Sequence, residues 1–390
     1  MSANPVYIRG VGLHPFGRFP EQSVTELGLH AVRAAIADAA AGSDPAGSRA
    51  PGNTLDAAFC ASVYSGVAAG HKVLSRIGCT GPPIMNIEAG CASGGAALSL
   101  GADLIRSGRY RNVLVFGMEK MPRGMIRSSF FPPWCEQAGL TPAPAYFALR
   151  AQRLIQESGV TREDLADVVV HNRRKGVDNP FAMFRKEVSQ EEVLQSRLVC
   201  DPLHLWMLCS PNEGAAAVLL SSETASGHTP VELAASVLRS HQPGSALGEH
   251  TPLSGRIGDD PESPTTTAAR EALAQGKLSL GDIDLVELQD TDAGRQILSI
   301  EELGLCAAGD GGAYVRAEQQ KSKQTVAINP SGGLLSKGEP LGASALAQIV
   351  ELVWQLRASA GARQVPGAKA GLAHTVGRGA NASVSILVRH

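Results

Sequence analysis

The sequence predicts an α/β protein with a largely parallel core sheet, built as two similar halves with an insertion in the first. Three observations carry this prediction. Short apolar, β-branched runs alternate with amphipathic Ala- and Leu-rich stretches, the pattern of strands joined by crossover helices. The order of these elements in 230–390 repeats that in 1–229 once residues 118–200 are set aside. Aromatic residues make up only 4% of the 390, so Ala, Val, Leu and Gly must fill close-packed, small-residue layers.

Residues 6–11 read as a strand. Ser23 to Glu26 form a capping box, in which hydroxyl and carboxylate each satisfy a free backbone N–H. Leu27, Ala31, Ala34, Ala35 and Ile36 follow at helical spacing. Residues 55–62 predict a buried strand, 92–107 a buried helix rich in Ala and Gly, and 113–117 a fully buried strand. Residues 128–133 are aromatic and proline-rich, which breaks regular structure; Pro142 and Pro144 lead into a helix over 145–157, and 180–186 read as irregular loop. A long insertion between sheet elements suits a lid over a site. Residues 214–220 return to a buried strand.

In the second half, strands are predicted at 231–238, 284–288, 325–329 and 380–388, with helices at 264–275, 294–303 and 341–356. In role, 6–11 matches 231–238 and 113–117 matches 284–288. The turn at 228–231 divides the chain into units 1–229 and 230–390 that share one core.

The net charge of −2 offers no electrostatic footprint for nucleic acid or an anionic membrane. No run approaches the ~18 apolar residues of a membrane span, and residues 1–17 lack the pattern of a signal peptide. The seven cysteines are odd in number, irregularly spaced and contain no CxxC pair, so no metal site is expected. The expected setting is cytoplasmic, with reduced thiols.

Four places carry candidate chemistry. In NIEAGCASGG (86–95), Cys91 stands at a helix start among Gly90, Gly94 and Gly95. Unpaired N–H groups and the helix dipole there favour a thiolate, so Cys91 reads either as a nucleophile or as a small buried hydrophobe. In NPSGGLLSKGEPLG (329–342), a glycine-rich loop leads to Glu339 ahead of Pro340, a base or a plain helix cap. In ELQDTD (287–292), polar groups stand at a strand end, where α/β sheets bind ligands; the same residues also fit a turn capped by Asp292. HTVGRGA (374–380) is a glycine-rich loop before the last strand, a turn with a contact to substrate.

Together these motifs resemble the thiolase superfamily, and within it the sterol-carrier-protein type. GCASGG matches the nucleophile motif, while GMEKMPRG (117–124) and DPLHLWMLCSPNEGAAAVLL (201–220) resemble segments of that type. NPSGGLLSKGEPLGAS (329–344) is the most specific match, and the resemblance covers nearly the whole chain. It implies two βαβαβ halves in five layers, αβαβα, with an inserted loop domain, usually in a homodimer. It implies no permanently bound cofactor and a coenzyme A thioester as substrate. Ser331, Gly332, Gly333, Gly338, Gly377 and Gly379 are then expected to contact substrate or CoA, with Ser336 and Lys337 along the pantetheine path.

The family mechanism acylates the cysteine, which a histidine in a Gly-His-Pro motif activates. A His-Asp-Cys-Phe motif stabilises the thioester enolate, and a second cysteine acts as acid and base. Here the first histidine is Glu339, and the second motif reads Gln289-Asp290-Thr291-Asp292. Thr375 stands near where other thiolases place their second cysteine. The resemblance therefore implies Cys91 as nucleophile, Glu339 as proton acceptor, Gln289 as a donor to an oxyanion and His374 near the thiol.

Three functions follow as expectations. The first is an acyltransferase or condensing enzyme that passes an acyl group from Cys91 to a carbon nucleophile in specialised biosynthesis. The second is a lyase acting on aldol adducts of CoA thioesters, with a small OB-fold partner. The third is a non-catalytic acyl-CoA-binding subunit of a larger complex. Phe130, Phe131, Trp134 and Phe147 in the lid suit an apolar or aromatic acyl group, or the packing of the lid itself.

Overall fold

The computed structural model describes residues 4–41, 54–124, 126, 133–224, 227–241, 262–319, 326–377 and 381–390. The first half runs β1 (Tyr7–Gly17), α1 (Val24–Ala40), β2 (Ala57–Ala61), α2 (Ala69–Leu74), β3 (Ile84–Ile87), α3 (Ser93–Arg106) and β4 (Asn112–Lys120). The insertion holds α4 (Pro133–Gln137), α5 (Ala143–Ser158), α6 (Arg162–Gly176), α7 (Gln190–Gln195), β5 (Leu198–Cys200) and β6 (Leu203–His204), and β7 (Glu213–Ser221) closes the half. The second half runs β8 (Val231–Ser240), α8 (Pro264–Gly276), β9 (Leu285–Glu287), α9 (Ala293–Glu302), α10 (Gly311–Gln319) and β10 (Ala327–Ile328). It ends with α11 (Gly333–Lys337), α12 (Leu341–Leu356), β11 (Ala370–Gly377) and β12 (Asn381–Arg389).

The strand order is β10-β9-β11-β12-β8-β1-β7-β4-β2-β3. Its centre is two five-stranded arrays that meet at one register position, Tyr7 opposite Glu232. Helix α1 covers the outer face of the first array and α8 that of the second, while α3 and α12 pack against each other between the arrays. Helix, sheet, helix pair, sheet and helix are the five layers expected.

Two expectations are corrected. The sheet is not largely parallel. Among the described residues pairing is parallel only at β3-β2-β4 and β10-β9-β11, and antiparallel from β4 through β7, β1, β8 and β12 to β11. Strand β12 begins too soon after β11 to allow a crossover helix, so the two must run antiparallel. The equivalence of the halves also changes. The orders β3-β2-β4-β7-β1 and β10-β9-β11-β12-β8 superpose β1 on β8, as expected, but β4 on β11 and β2 on β9. Residues 113–117 therefore correspond to 370–377, not to 284–288. Under this symmetry α3 corresponds to α12, and the loops that precede them carry Cys91 and Glu339.

The helix pair is tightly seated. A side chain at Gly117 in β4 would lie 1.9 Å from the carbonyl oxygen of Gly342 in the first turn of α12. The Ser23 capping box at α1 is present as expected. A second one, Thr161 with Asp164, starts α6, a helix absent from the sequence reading. The insertion has only a small cluster of its own, Cys135 and Tyr146 with Leu140, Phe147 and Leu149 packed against them. Leu165, Val168 and Val169 of α6 join Leu288, Ile297 and Ile300 in one apolar cluster, so the lid stands on the second half. Among the described residues no helix is long and apolar enough to cross a membrane, and no group of residues could hold a metal ion. Phe130, Phe131, Gly379 and the ends of the strands expected at 325–329 and 380–388 lie outside the described residues.

Candidate active site

Cys91 lies in the loop between β3 and α3, at the wall of a cavity of about 1200 Å³ roofed by the insertion. The loop is folded tightly. The Ser93 hydroxyl donates to the Gly90 carbonyl (2.6 Å) and accepts from the Ala89 N–H (2.8 Å), and Gly90 takes φ +59°. Gly377, at the end of β11, also lines the cavity. A side chain there would come within 2.4 Å of the Ala89 carbonyl, so glycine lets the strand abut the cysteine loop.

Glu339 reaches the same cavity from the loop before α12, with Pro340 as that helix's N-cap. Its carboxylate accepts from the Gln289 side-chain amide (2.8 Å) and from the Cys209 thiol (3.2 Å). Cys209 lines the cavity as well and was not singled out from the sequence. Its segment is stitched between the two polar loops of the second half. The Cys209 N–H donates to the Thr291 carbonyl and the Glu339 N–H to the Ser210 carbonyl, both at 2.9 Å. Burial pushes the Cys209 thiol well up, and the neighbouring carboxylate of Glu339 adds to it, as do Asp290 and Cys91. Cys209 is thus held as a protonated donor beside both Glu339 and Cys91.

The other expected site residues serve different purposes. Gln289 is fully buried and does not line the cavity, and its side-chain amide donates to Glu339. His374 is not in a loop but in β11, fully buried and away from the cavity. Its Nε2 donates to the Thr265 hydroxyl (3.0 Å) and its Nδ1 accepts from the Gln289 N–H (3.5 Å). Burial and the nearby Arg295 charge hold it well below the ordinary histidine range, so it is a neutral core residue. Thr375 is buried too, its hydroxyl bonded to Gln348.

The glycine-rich loop at 331–338 is a buried brace and makes no wall of the cavity. Ser331 and Lys337 are both held by the Glu287 carboxylate, at 2.6 and 3.1 Å, and the Ser336 hydroxyl donates to the Asn172 carbonyl. Gly332, Gly333 and Gly338 take positive φ, and side chains there would strike Gly176, Asp290 and Asn212 respectively. Asp290 accepts from the Leu334 and Leu335 N–H groups and from Asn172, tying this loop to α6. Asp292 does cap α9, as expected, and also pairs with Arg150 of α5, buried under the lid. Of the lid aromatics, Phe147 lines the cavity and Trp134 is exposed.

Five αβαβα layers, with a thiol and a carboxylate at the heads of the two symmetry-related central helices, define the class of fold and site. The thiolase N-terminal domain family matches residues 6–224, and the thiolase C-terminal domain-like family matches 257–389. The chain belongs to the thiolase superfamily, and within it to the sterol-carrier-protein type. It is 37% identical to an acetyl-CoA acetyltransferase of Methanothermobacter thermautotrophicus, over 98% of this chain and 99% of that protein. It is 33% identical to sterol carrier protein 2 of Bos taurus, over 98% of this chain and 72% of that one. Among solved structures, one titled "Ltp2-ChsH2(DUF35) aldolase" shares the fold, with a TM-score of 0.83 at 22% identity over 99% of this chain and 98% of its own. Acyl transfer is the general kind of reaction that the acetyltransferase relative supports.

Proposed function

We propose that the chain is an acyltransferase of the thiolase type, with a carboxylate where the family has a histidine. The observation that carries this reading is the cluster of Cys91, Cys209 and Glu339 on one cavity wall, with the Cys209 thiol bonded to Glu339. Cys91 sulfur attacks the carbonyl carbon of a CoA thioester, and its proton passes to Glu339, with the Cys209 thiol beside both. The tetrahedral adduct collapses to acyl-Cys91, and the CoA thiolate leaves and recovers that proton. A carbon acid then loses a proton to Glu339, its carbanion attacks the acyl carbon, and the Cys91 thiolate leaves and recovers that proton. Exposed Lys186 and Arg197 also line the cavity and suit the phosphates of CoA. The carbon acceptor supports a biosynthetic role in the cytoplasm, with CoA coming and going as substrate.

Intact-protein mass spectrometry tests this directly. With a panel of short and aryl acyl-CoAs, the wild type should gain the mass of one acyl group, and Cys91→Ala should gain none. CoA binding with no adduct from any donor would refute the reading, leaving the lyase or the non-catalytic subunit.

The proposal includes a homodimer through β3. Among the described residues this edge strand has no partner on its outer side, and Met85 on it is exposed, as are Tyr64 and Val67 after β2. An open edge with apolar side chains is a template for a second copy. Light scattering should give twice the chain mass, and Met85→Lys should shift it toward the monomer. A monomer at micromolar wild-type protein would argue against this interface and leave room for a small OB-fold partner.

A further inference from the structure

Arg173 stands out from the other cations of the cavity. Arg150 is paired with Asp292 and Arg295 with Glu302, while Lys186 and Arg197 are exposed. Arg173, on α6, is only 7% exposed, yet it lines the cavity. It has no ion pair among the described residues, and its Nε has no hydrogen-bond acceptor. Its guanidinium stacks on the Phe184 ring, 4.0 Å from the ring centre. Stacking of this kind returns less than the burial of an unpaired ion costs. Burial without a compensating carboxylate lowers its pKa to about 10, which leaves it charged at neutral pH. A buried guanidinium at the wall of a cavity is complementary to an oxyanion that arrives with a ligand.

Its position says which part of the ligand. The Phe184 N–H donates to the Ser336 carbonyl at 2.9 Å, three residues before Glu339. Three residues of chain span at most about 11 Å, so Arg173 stands toward the reacting end of the cavity. Exposed Lys186 and Arg197 are the residues suited to phosphate.

We propose that Arg173 binds a carboxylate carried on the acyl chain, so that the substrates are CoA thioesters of dicarboxylic acids. This deepens the acyl-transfer reading and rests on the same cavity. The planar fork of arginine matches a carboxylate with two parallel hydrogen bonds, and the Phe184 ring fixes the plane of that fork.

Equilibrium binding to Cys91→Ala, by calorimetry, tests the proposal without needing any covalent step. Glutaryl-CoA and succinyl-CoA should bind roughly tenfold or more tightly than valeryl-CoA and butyryl-CoA. Adding Arg173→Gln should bring that ratio close to one, and Arg173→Lys should keep part of it. Arg173→Gln should also leave the melting temperature unchanged or raise it, since no native partner is lost. Equal affinity for charged and neutral thioesters would overturn the proposal. So would an equal loss of affinity for all thioesters and free CoA in Arg173→Gln, which would place a CoA phosphate on the arginine. If Cys91 fails to acylate but the charge preference holds, the acyl-transfer reading falls and the arginine site stands.

Discussion

Replacing Glu339 by Gln should lower kcat/KM for acyl transfer by about 10²–10⁴, the usual range for the loss of a positioned acid–base group. The substitution keeps the size of the side chain and a partner for Gln289, so folding should not confound the result. In the wild type both Glu339 oxygens receive a donor, one from Gln289 and one from Cys209. Gln at 339 retains an acceptor but cannot take a proton from Cys91 at neutral pH. The acyl adduct should still form, slowly, so rapid-quench mass spectrometry would show a reduced rate constant rather than no product. Cys209→Ser keeps a donor to Glu339 and should retain more activity than Cys209→Ala. A rate unchanged in Glu339→Gln would remove Glu339 from the proton path.

Asp292→Ala should cost about 3–5 kcal/mol of stability, because it breaks a buried ion pair on one side only. Arg150 and Asp292 are both buried, and the Asp292 carboxylate also caps α9 through the Arg295 N–H at 3.0 Å. Asp292→Asn keeps a good cap and should recover ~1 kcal/mol of the loss. The pair joins lid helix α5 to the core, and Arg150 also stands over the Tyr146 and Phe147 rings. Loss of the pair should therefore raise KM more than it lowers kcat. Chemical unfolding together with steady-state kinetics separates the two effects, and a variant as stable as the wild type would contradict the account.

The elements that local chemistry specifies strongly were legible in the sequence. Helix α12 matches its expected span of 341–356, and the Ser23 capping box sits where the side chains require it. Helix α6 was missed although its start is marked by Thr161 and Asp164, a signal of the same kind. The direction of β7 and β12 could not be read locally, since a buried apolar run looks the same in either direction. The loops bearing Cys91 and Glu339 were legible as motifs. Cys209 was not, because its meaning comes from Glu339, 130 positions away, and from the Thr291 carbonyl that holds its loop. The glycines of 332–338 were ambiguous for a related reason. A glycine-rich loop at a helix start suits a ligand, but it equally suits backbone packed against backbone. Only the neighbouring Gly176, Asp290 and Asn212 decide between these.

The symmetry of α3 and α12 bears on how the protein is made. The ribosome completes Cys91 248 residues before it reaches Glu339, a delay of roughly 12–50 s at ordinary synthesis rates. During that time the thiol stands without Glu339, its proposed proton acceptor. The same interval leaves the apolar flank of α3 without the helix that will cover it. Each half is thus an unfinished surface for the other, and the two cannot be parted into separate soluble proteins without exposing that seam.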